Sequence, residues 1–224
     1  MPNIMIKTAL GAALGLFLVN PASAVPLTPP TNVNGTFEFD NDVEQFEFSV
    51  ATTSIVTIET ISYGGGAFVS NPAIVVGPGG FDPVLSLFDS TGAFIDDDDN
   101  DDDFIGATAV DPVTGNAFDS FLQPTLAPGT YTVVVTQFDN FFVGNVGDDI
   151  SLGFTFDGGP TNFTNLFPFI GCGNGIFCDA DGNDRSNFFA VNVSAQAVPE
   201  PSSLALLGVG LIGAGLAYRR RQRG

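Results

Sequence analysis

The 224-residue chain has no histidine, no tryptophan, three tyrosines and two cysteines, and only six basic residues against 25 acidic ones. Each scarcity closes a class of chemistry. Without histidine there is no Ser-His-Asp or Cys-His nucleophile and no histidine-ligated zinc. Lys7 is the one lysine, and it stands in a leader-like segment, so Schiff-base chemistry leaves with it. With only Tyr63 and Tyr131 ahead of the last 26 residues, ring faces suited to stacking on sugars are few. Between residues 25 and 198 the sole cation is Arg185. Setting Glu200 aside from the 25 acids leaves 24, a formal charge of −23 for that segment. Nothing there can neutralise phosphates, which excludes nucleic acid as a partner. Paired carboxylates remain as a route to glycoside hydrolysis, but among so many acids some pair meets the required spacing by chance. The chain is read as not an enzyme.

What is present at the two ends points to export. Lys7, an apolar stretch at 9–19 and the small residues Ala22-Ser23-Ala24 read as a signal peptide over residues 1–24. At the other end, Pro199-Glu200-Pro201 precedes an apolar run at about 202–218 and a cluster of Arg219, Arg220, Arg221 and Arg223. The run is at the short end of the ~17–25 residues that a membrane helix needs, and its glycines are better tolerated in lipid than in water. The arginines serve as a stop-transfer signal and hold the C-terminus on the cytoplasmic side. This tripartite segment, residues 199–224, resembles the PEP-CTERM sorting tail of Gram-negative bacteria. The resemblance implies recognition of Pro199, Glu200 and Pro201 by an exosortase-type processing protease. It also implies a transient stay in the inner membrane, then delivery to the cell envelope surface or the medium. The plainer alternative is an ordinary C-terminal anchor.

The segment between the ends is long enough for one domain with its own core. It lacks a helical period. Short apolar or alternating runs at 36–39, 43–50, 55–61, 73–76, 84–88, 93–95, 118–122, 131–138, 152–156 and 188–193 are separated by Gly, Pro, Asn and Asp. Alternation over 43–50 puts Phe46, Phe48 and Val50 on one face, which predicts that face to be buried. These features predict an all-β fold, a jelly-roll-like β-sandwich of about eight to ten strands over 34–198, with a linker at 25–33. Three stretches then look like the signatures of pre-peptidase C-terminal (PPC-like) domains. They are Gly35-Thr36-Phe37 with Asp42-Val43-Glu44-Gln45-Phe46-Glu47-Phe48, the run Phe81-Asp82-Pro83 through Ser90-Thr91-Gly92, and Leu126-Ala127-Pro128-Gly129-Thr130-Tyr131. They occur in the family's order and cover roughly residues 34–138. Glu44 stands where the family has a second aspartate. The resemblance implies a sandwich with an acidic pair near Asp96.

Two acidic stretches are candidate cation sites. Seven of the eight residues from 96 to 103 are aspartate, a density that suits the six to eight oxygens of Ca²⁺, with Asp96, Asp98, Asp99 and Asp101 as candidate ligands. It is no EF-hand, because Asp101 replaces the required glycine and Ala107 the bidentate glutamate. The alternative is a solvated loop spread by its own repulsion. In Asp179-Ala180-Asp181-Gly182-Asn183-Asp184, the candidates are Asp179, Asp181 and Asp184, against the reading of a plain Asx-rich turn. Cys172 and Cys178, an even pair in an exported glycine-rich loop, favour a disulfide over a metal site. Phe141-Phe142 is expected as an exposed pair on a loop. The whole predicts an exported, non-enzymatic protein of the cell surface or extracellular matrix, stabilised by Ca²⁺. The rival is a carbohydrate-binding module acting on exopolysaccharide.

Overall fold

Alternating β-branched residues set the longest strands, and the fold is built by stacking them. The computed structural model describes residues 26–68, 71–100, 108–166 and 176–199. Among these, in chain order, the strands are β1 (Thr31–Thr36), β2 (Glu44–Val50), β3 (Ser54–Thr60), β4 (Gly66–Ala67), β5 (Val75–Val76), β6 (Pro83–Asp89) and β7 (Phe94–Asp99). The chain continues with β8 (Phe121–Leu122), β9 (Thr125–Leu126), β10 (Gly129–Gln137), β11 (Phe177–Cys178), β12 (Asp184–Arg185) and β13 (Phe188–Ala197). The first sheet has the order β1-β13-β3-β8, with β9 also paired to β3. The second has the order β2-β10-β6-β7, and β4–β5 and β11–β12 are separate hairpins. All the strand pairings are antiparallel.

The sheets meet through their inner faces. Phe48, Leu85, Leu87, Val133 and Val135 of the second sheet pack in one cluster with Val56, Ile58, Val191 and Val193 of the first, all fully buried. Burying each such side chain contributes about 1.5–3 kcal/mol before the entropy cost of ordering it. In β2 the expected face is the inner one: Phe48 and Val50 are buried and Phe46 packs partly buried against the same cluster. The second sheet is covered on its other face as well. Phe88, Phe94, Val134, Phe142 and Phe154 form a second cluster there, so β6 is buried on both sides.

That outer cluster corrects two sequence expectations. Phe141-Phe142 is not an exposed pair, because Phe142 is 8% exposed and touches Phe88, Phe94 and Phe154. The run at 152–156 is not a strand. It follows a 3₁₀ turn at Ile150–Leu152, Gly153 takes a φ of +80°, and Asp157 Oδ2 accepts from Phe154 N at 2.8 Å. A positive φ and an Asp-closed turn interrupt the extended run that the apolar residues suggest.

Two boundaries also move. β7 extends through Asp99, so Asp96 to Asp99 lie on a strand and not in a loop. Each faces a β6 partner, from Leu87↔Asp96 to Val84↔Asp99. The backbone of β6 needs a neighbour on that side, and β7 supplies it from the sheet edge, where carboxylates can turn to water and discourage further pairing. β1 begins at Thr31, inside the stretch read as a linker, and Leu27 already exchanges backbone hydrogen bonds with Glu47 and Ser49 at 2.8 and 2.9 Å. Thr31–Thr36 holds Val33 as its one large apolar residue, which leaves no alternation to read. The expected hairpin turn at Ser90-Thr91-Gly92 is present. Asp89 Oδ1 accepts from Thr91 N, Thr91 Oγ1 and Ala93 N, and Gly92 sits at a φ of +85°.

Candidate functional site

At one end of the sandwich the β11–β12 hairpin lies against the segments 61–64, 80–83 and 137–140, and polar groups collect beneath it. The chain leaves β3 in a turn whose amides all point one way. Asp119, just before β8, lies fully buried in their midst. Its Oδ1 accepts from Thr60 Oγ1 at 2.8 Å, Ser62 N at 2.9 Å and Tyr63 N at 3.0 Å, and its Oδ2 from Gly64 N at 2.7 Å. Burial pushes the Asp119 carboxyl above its ordinary range, and those hydrogen bonds hold it part of the way down.

Next to this turn, Tyr63 is fully buried and donates its hydroxyl to Asp179 Oδ2 at 2.6 Å. Burial first, then that hydrogen bond, raises its pKa. Arg185 from β12 lays its guanidinium over the Tyr63 ring, 3.8 Å from the centroid. It donates to Gly80 O at 2.8 Å, Tyr63 O at 3.0 Å and Asp111 Oδ2 at 2.8 Å. With side chains 4% and 1% exposed, Arg185 and Asp111 form a buried ion pair. Burial acts to raise Asp111, but hydrogen bonds from Thr114 N, Arg185 and Val113 N bring it below the usual carboxylate range. The Arg185 guanidinium is thereby committed to holding the hairpin down. Gly80 lets this segment pack closely on its neighbours: a Cβ there would stand 2.6 Å from Phe188 O.

Asp82 differs from all of these. It is fully buried, and neither carboxylate oxygen has a hydrogen-bond partner. Burial raises its pKa well above the ordinary value, with the charge of Asp99 adding to the rise; the Ala180 amide lies near without reaching hydrogen-bond geometry. Gln137 is also fully buried. Its Nε2 donates to Cys178 O at 2.9 Å, and its Oε1 has no partner. Their backbones are diagonal neighbours across β6 and β10, because Gln137 pairs with Pro83 and Phe138 N donates to Asp82 O at 2.8 Å.

The candidate ligands named from sequence are spread apart. Along β7 successive side chains alternate faces, so Asp96 and Asp98 share one face and Asp99 lies on the other. Asp98 Oδ2 accepts from Phe121 N at 2.7 Å. Asp101 lies outside the described residues. In the second stretch, Asp179 Oδ1 accepts from Asp181 N at 3.1 Å and from Asn183 N at 2.8 Å. This is an Asx-type closure in which the carboxylate binds its own loop. Asp181 is exposed and accepts from Asn116 Nδ2 at 2.6 Å, and Asp184 is exposed on β12. Among the described residues no group of three or more acidic or thiol side chains is placed to hold a metal. Cys178 is 1% exposed and no free cysteine occurs among the described residues, whereas Cys172 lies outside them.

Asp82 and Gln137 were missed as candidates, although Gln137 was readable. Tyr131, Val133 and Val135 alternate onto the core face, and extending that period by one step puts the amide of Gln137 inside.

β13 ends at Ala197, and Val198 N still donates to Thr53 O at 2.9 Å. Glu200, Pro201 and the apolar run with its arginines lie outside the described residues. No helix among the described residues is long and apolar enough to cross a membrane. The family model for the PEP-CTERM protein-sorting motif matches residues 197–221. This takes in Pro199, Glu200, Pro201 and three of the four arginines. No curated protein matches the chain.

Proposed function

We propose that this chain is an exported, non-enzymatic component of the cell surface or extracellular matrix, cut from its C-terminal membrane anchor by an exosortase-type protease. The observation that carries the reading is where the sorting motif begins. The matched segment starts at residue 197, the residue on which the last strand of the sandwich ends. A cut at or after Pro199-Glu200-Pro201 therefore removes no residue of the core, and the domain is released whole.

The rest of the reading rests on composition and on likeness. Residues 1–24 act as the signal peptide, the apolar run about 202–218 as the transient inner-membrane helix, and Arg219, Arg220, Arg221 and Arg223 as its cytoplasmic stop. The sandwich is PPC-like, a likeness of shape that by itself implies no particular activity. Cys172 and Cys178 form a disulfide, supported by the burial of Cys178 and by the oxidising compartment that export implies. The carbohydrate-binding alternative gains nothing from Phe141-Phe142, since Phe142 fills the outer core.

Replacing Pro199-Glu200-Pro201 by three alanines tests the sorting step. Insertion should persist, because the apolar run and the arginines are untouched, and the protein should accumulate at full tail length in the inner membrane. Immunoblots of membrane and medium fractions read the outcome. Cutting and release at the wild-type rate would exclude the exosortase reading.

A further inference from the structure

We propose that the Asp82 end of the second sheet binds one hard divalent cation, calcium, through the carboxylates of Asp82 and Asp99 and the side-chain carbonyls of Asn100 and Gln137. The inference rests on the reading of the chain as exported, where such an ion is abundant. The starting point is an imbalance of donors and acceptors. Both oxygens of Asp82, Oε1 of Gln137 and Oδ1 of Asn100 are buried acceptors without a hydrogen-bond partner. Strand register sets their backbones at one end of the second sheet, and the charge of Asp99 acts on the buried Asp82 carboxyl. Gln137 pairs with Pro83 on one side of β6, Asp99 pairs with Val84 on the other, and Asn100 follows directly. Asp82 and Gln137 also converge on one stretch of backbone, since the Gln137 amide holds Cys178 O and the Asp82 carboxylate lies by Ala180 N.

Buried acceptors with no donor are costly, and a buried carboxylate more so. Protonating Asp82 would supply a single hydrogen for four acceptor oxygens. A cation satisfies them together. The donors are all oxygen and are mixed between charged carboxylates and neutral amides, which suits Ca²⁺ with its six to eight ligands. Mg²⁺ demands tighter octahedral geometry and keeps its waters, and zinc prefers nitrogen and sulfur. The cage is not a cluster of three acids, which the described residues do not contain; amide oxygens supply half of its side chains. Asn100 holds a φ of 80°, a conformation that asparagine takes more readily than most residues, and this turn ends β7 beside the site.

The test uses the full-length chain in detergent, stripped by a chelator. Equilibrium dialysis counts bound Ca²⁺, and melting is followed in calcium, magnesium and sodium salts at equal ionic strength, so that screening is common to all three. One ion per chain is expected, with Kd in the range of about 10⁻⁴–10⁻³ M typical of extracellular modules. Tm should be higher in calcium than in the other two salts. Asp82→Asn should weaken binding at least tenfold and abolish the calcium-specific rise in Tm, and Asp184→Asn should leave both as in the wild type. Asn100→Gly removes an oxygen while suiting the positive φ, so it serves even if the Asp82 variant does not fold, and it should weaken binding severalfold. Equal melting in the three salts, no bound ion, or wild-type binding by either Asp82→Asn or Asn100→Gly would overturn the site. Tail processing reads separately. The Asp82 variant should be processed normally, and the triple-alanine tail variant should still bind calcium.

Discussion

Asp119 and Asp82 are both fully buried, both stand next to the first residues of a strand, and in both the carboxyl is pushed above its ordinary range by burial. Their surroundings are opposite. Asp119 is ringed by donors: three backbone amides and the Thr60 hydroxyl turn toward it within 3.0 Å. Neither oxygen of Asp82 has a hydrogen-bond partner, and the largest charge acting on it is the like charge of Asp99. One carboxylate completes the fold by itself. The other is a half-built interaction. Burial of an acid is therefore not the mark of a site; the sign of the groups around it is.

The comparison is broken most severely at Asp119. Asp119→Ala would leave the Ser62, Tyr63 and Gly64 amides and the Thr60 hydroxyl buried and unmet, at a cost of about 3 kcal/mol or more. Urea midpoints read this loss. Asp82→Asn in chelator should not destabilise the fold at neutral pH, because it removes a buried carboxyl that no donor answers. A larger loss at Asp82 than at Asp119 would erase the distinction.

Arg185→Met comes next. It strips Asp111 of its buried cation and frees the hairpin, with an expected cost of about 3 kcal/mol at neutral pH. Because Asp111 is held low and Asp82 high, the two titrate with opposite effect. A group held below its unfolded pKa adds stability that is lost as pH falls through the folded value. One held above adds stability that is complete below the unfolded pKa and is lost as pH rises. In chelator, raising the pH from near 4 toward 7 should therefore lower Tm through Asp82 and Asp119. Saturating calcium should flatten or reverse that slope, and Asp82→Asn should reduce it without calcium. A slope that calcium leaves unchanged would separate the raised pKa from any ion.

The smallest effect is expected at the cysteines. A double serine variant opens a short loop, whose closure is worth roughly 2 kcal/mol at most. Since Cys178 O holds the Gln137 amide, the variant should also weaken calcium binding a few-fold, measurable by dialysis beside the melt. Free thiols in protein isolated under non-reducing conditions would remove the disulfide from the account.

Much of the sandwich was legible because its strands obey simple periods. Val56 and Ile58 alternate with Thr57 and Glu59, the run Val133-Val134-Val135 is β-branched throughout, and turns such as Ser90-Thr91-Gly92 carry their own chemistry. The outer layer was not legible. Phe142 and Phe154 look like loop residues locally and become core only because β6 and β10 offer them a second apolar face. The acidic run misled for a related reason, since local charge says loop while pairing with β6 says strand. At the candidate site, the conspicuous aspartates drew the eye. Asp179 proved to be occupied by its own turn, and Asp82, a single acid in an apolar run, shows its character only when its neighbours are known.

The seclusion of Arg185 makes the domain its own unfolding reporter. Trypsin cuts after lysine or arginine, and between residues 26 and 199 the chain offers it this one bond. In the native fold that side chain is 4% exposed and pinned beneath the β11–β12 hairpin. Cleavage between Arg185 and Ser186 must therefore wait for the hairpin to lift or for the whole sandwich to open. When closing is fast relative to cutting, the cleavage rate measures the population of the open form. A single new fragment boundary on a gel, timed with and without calcium, would place that opening on an energy scale without any label or substitution.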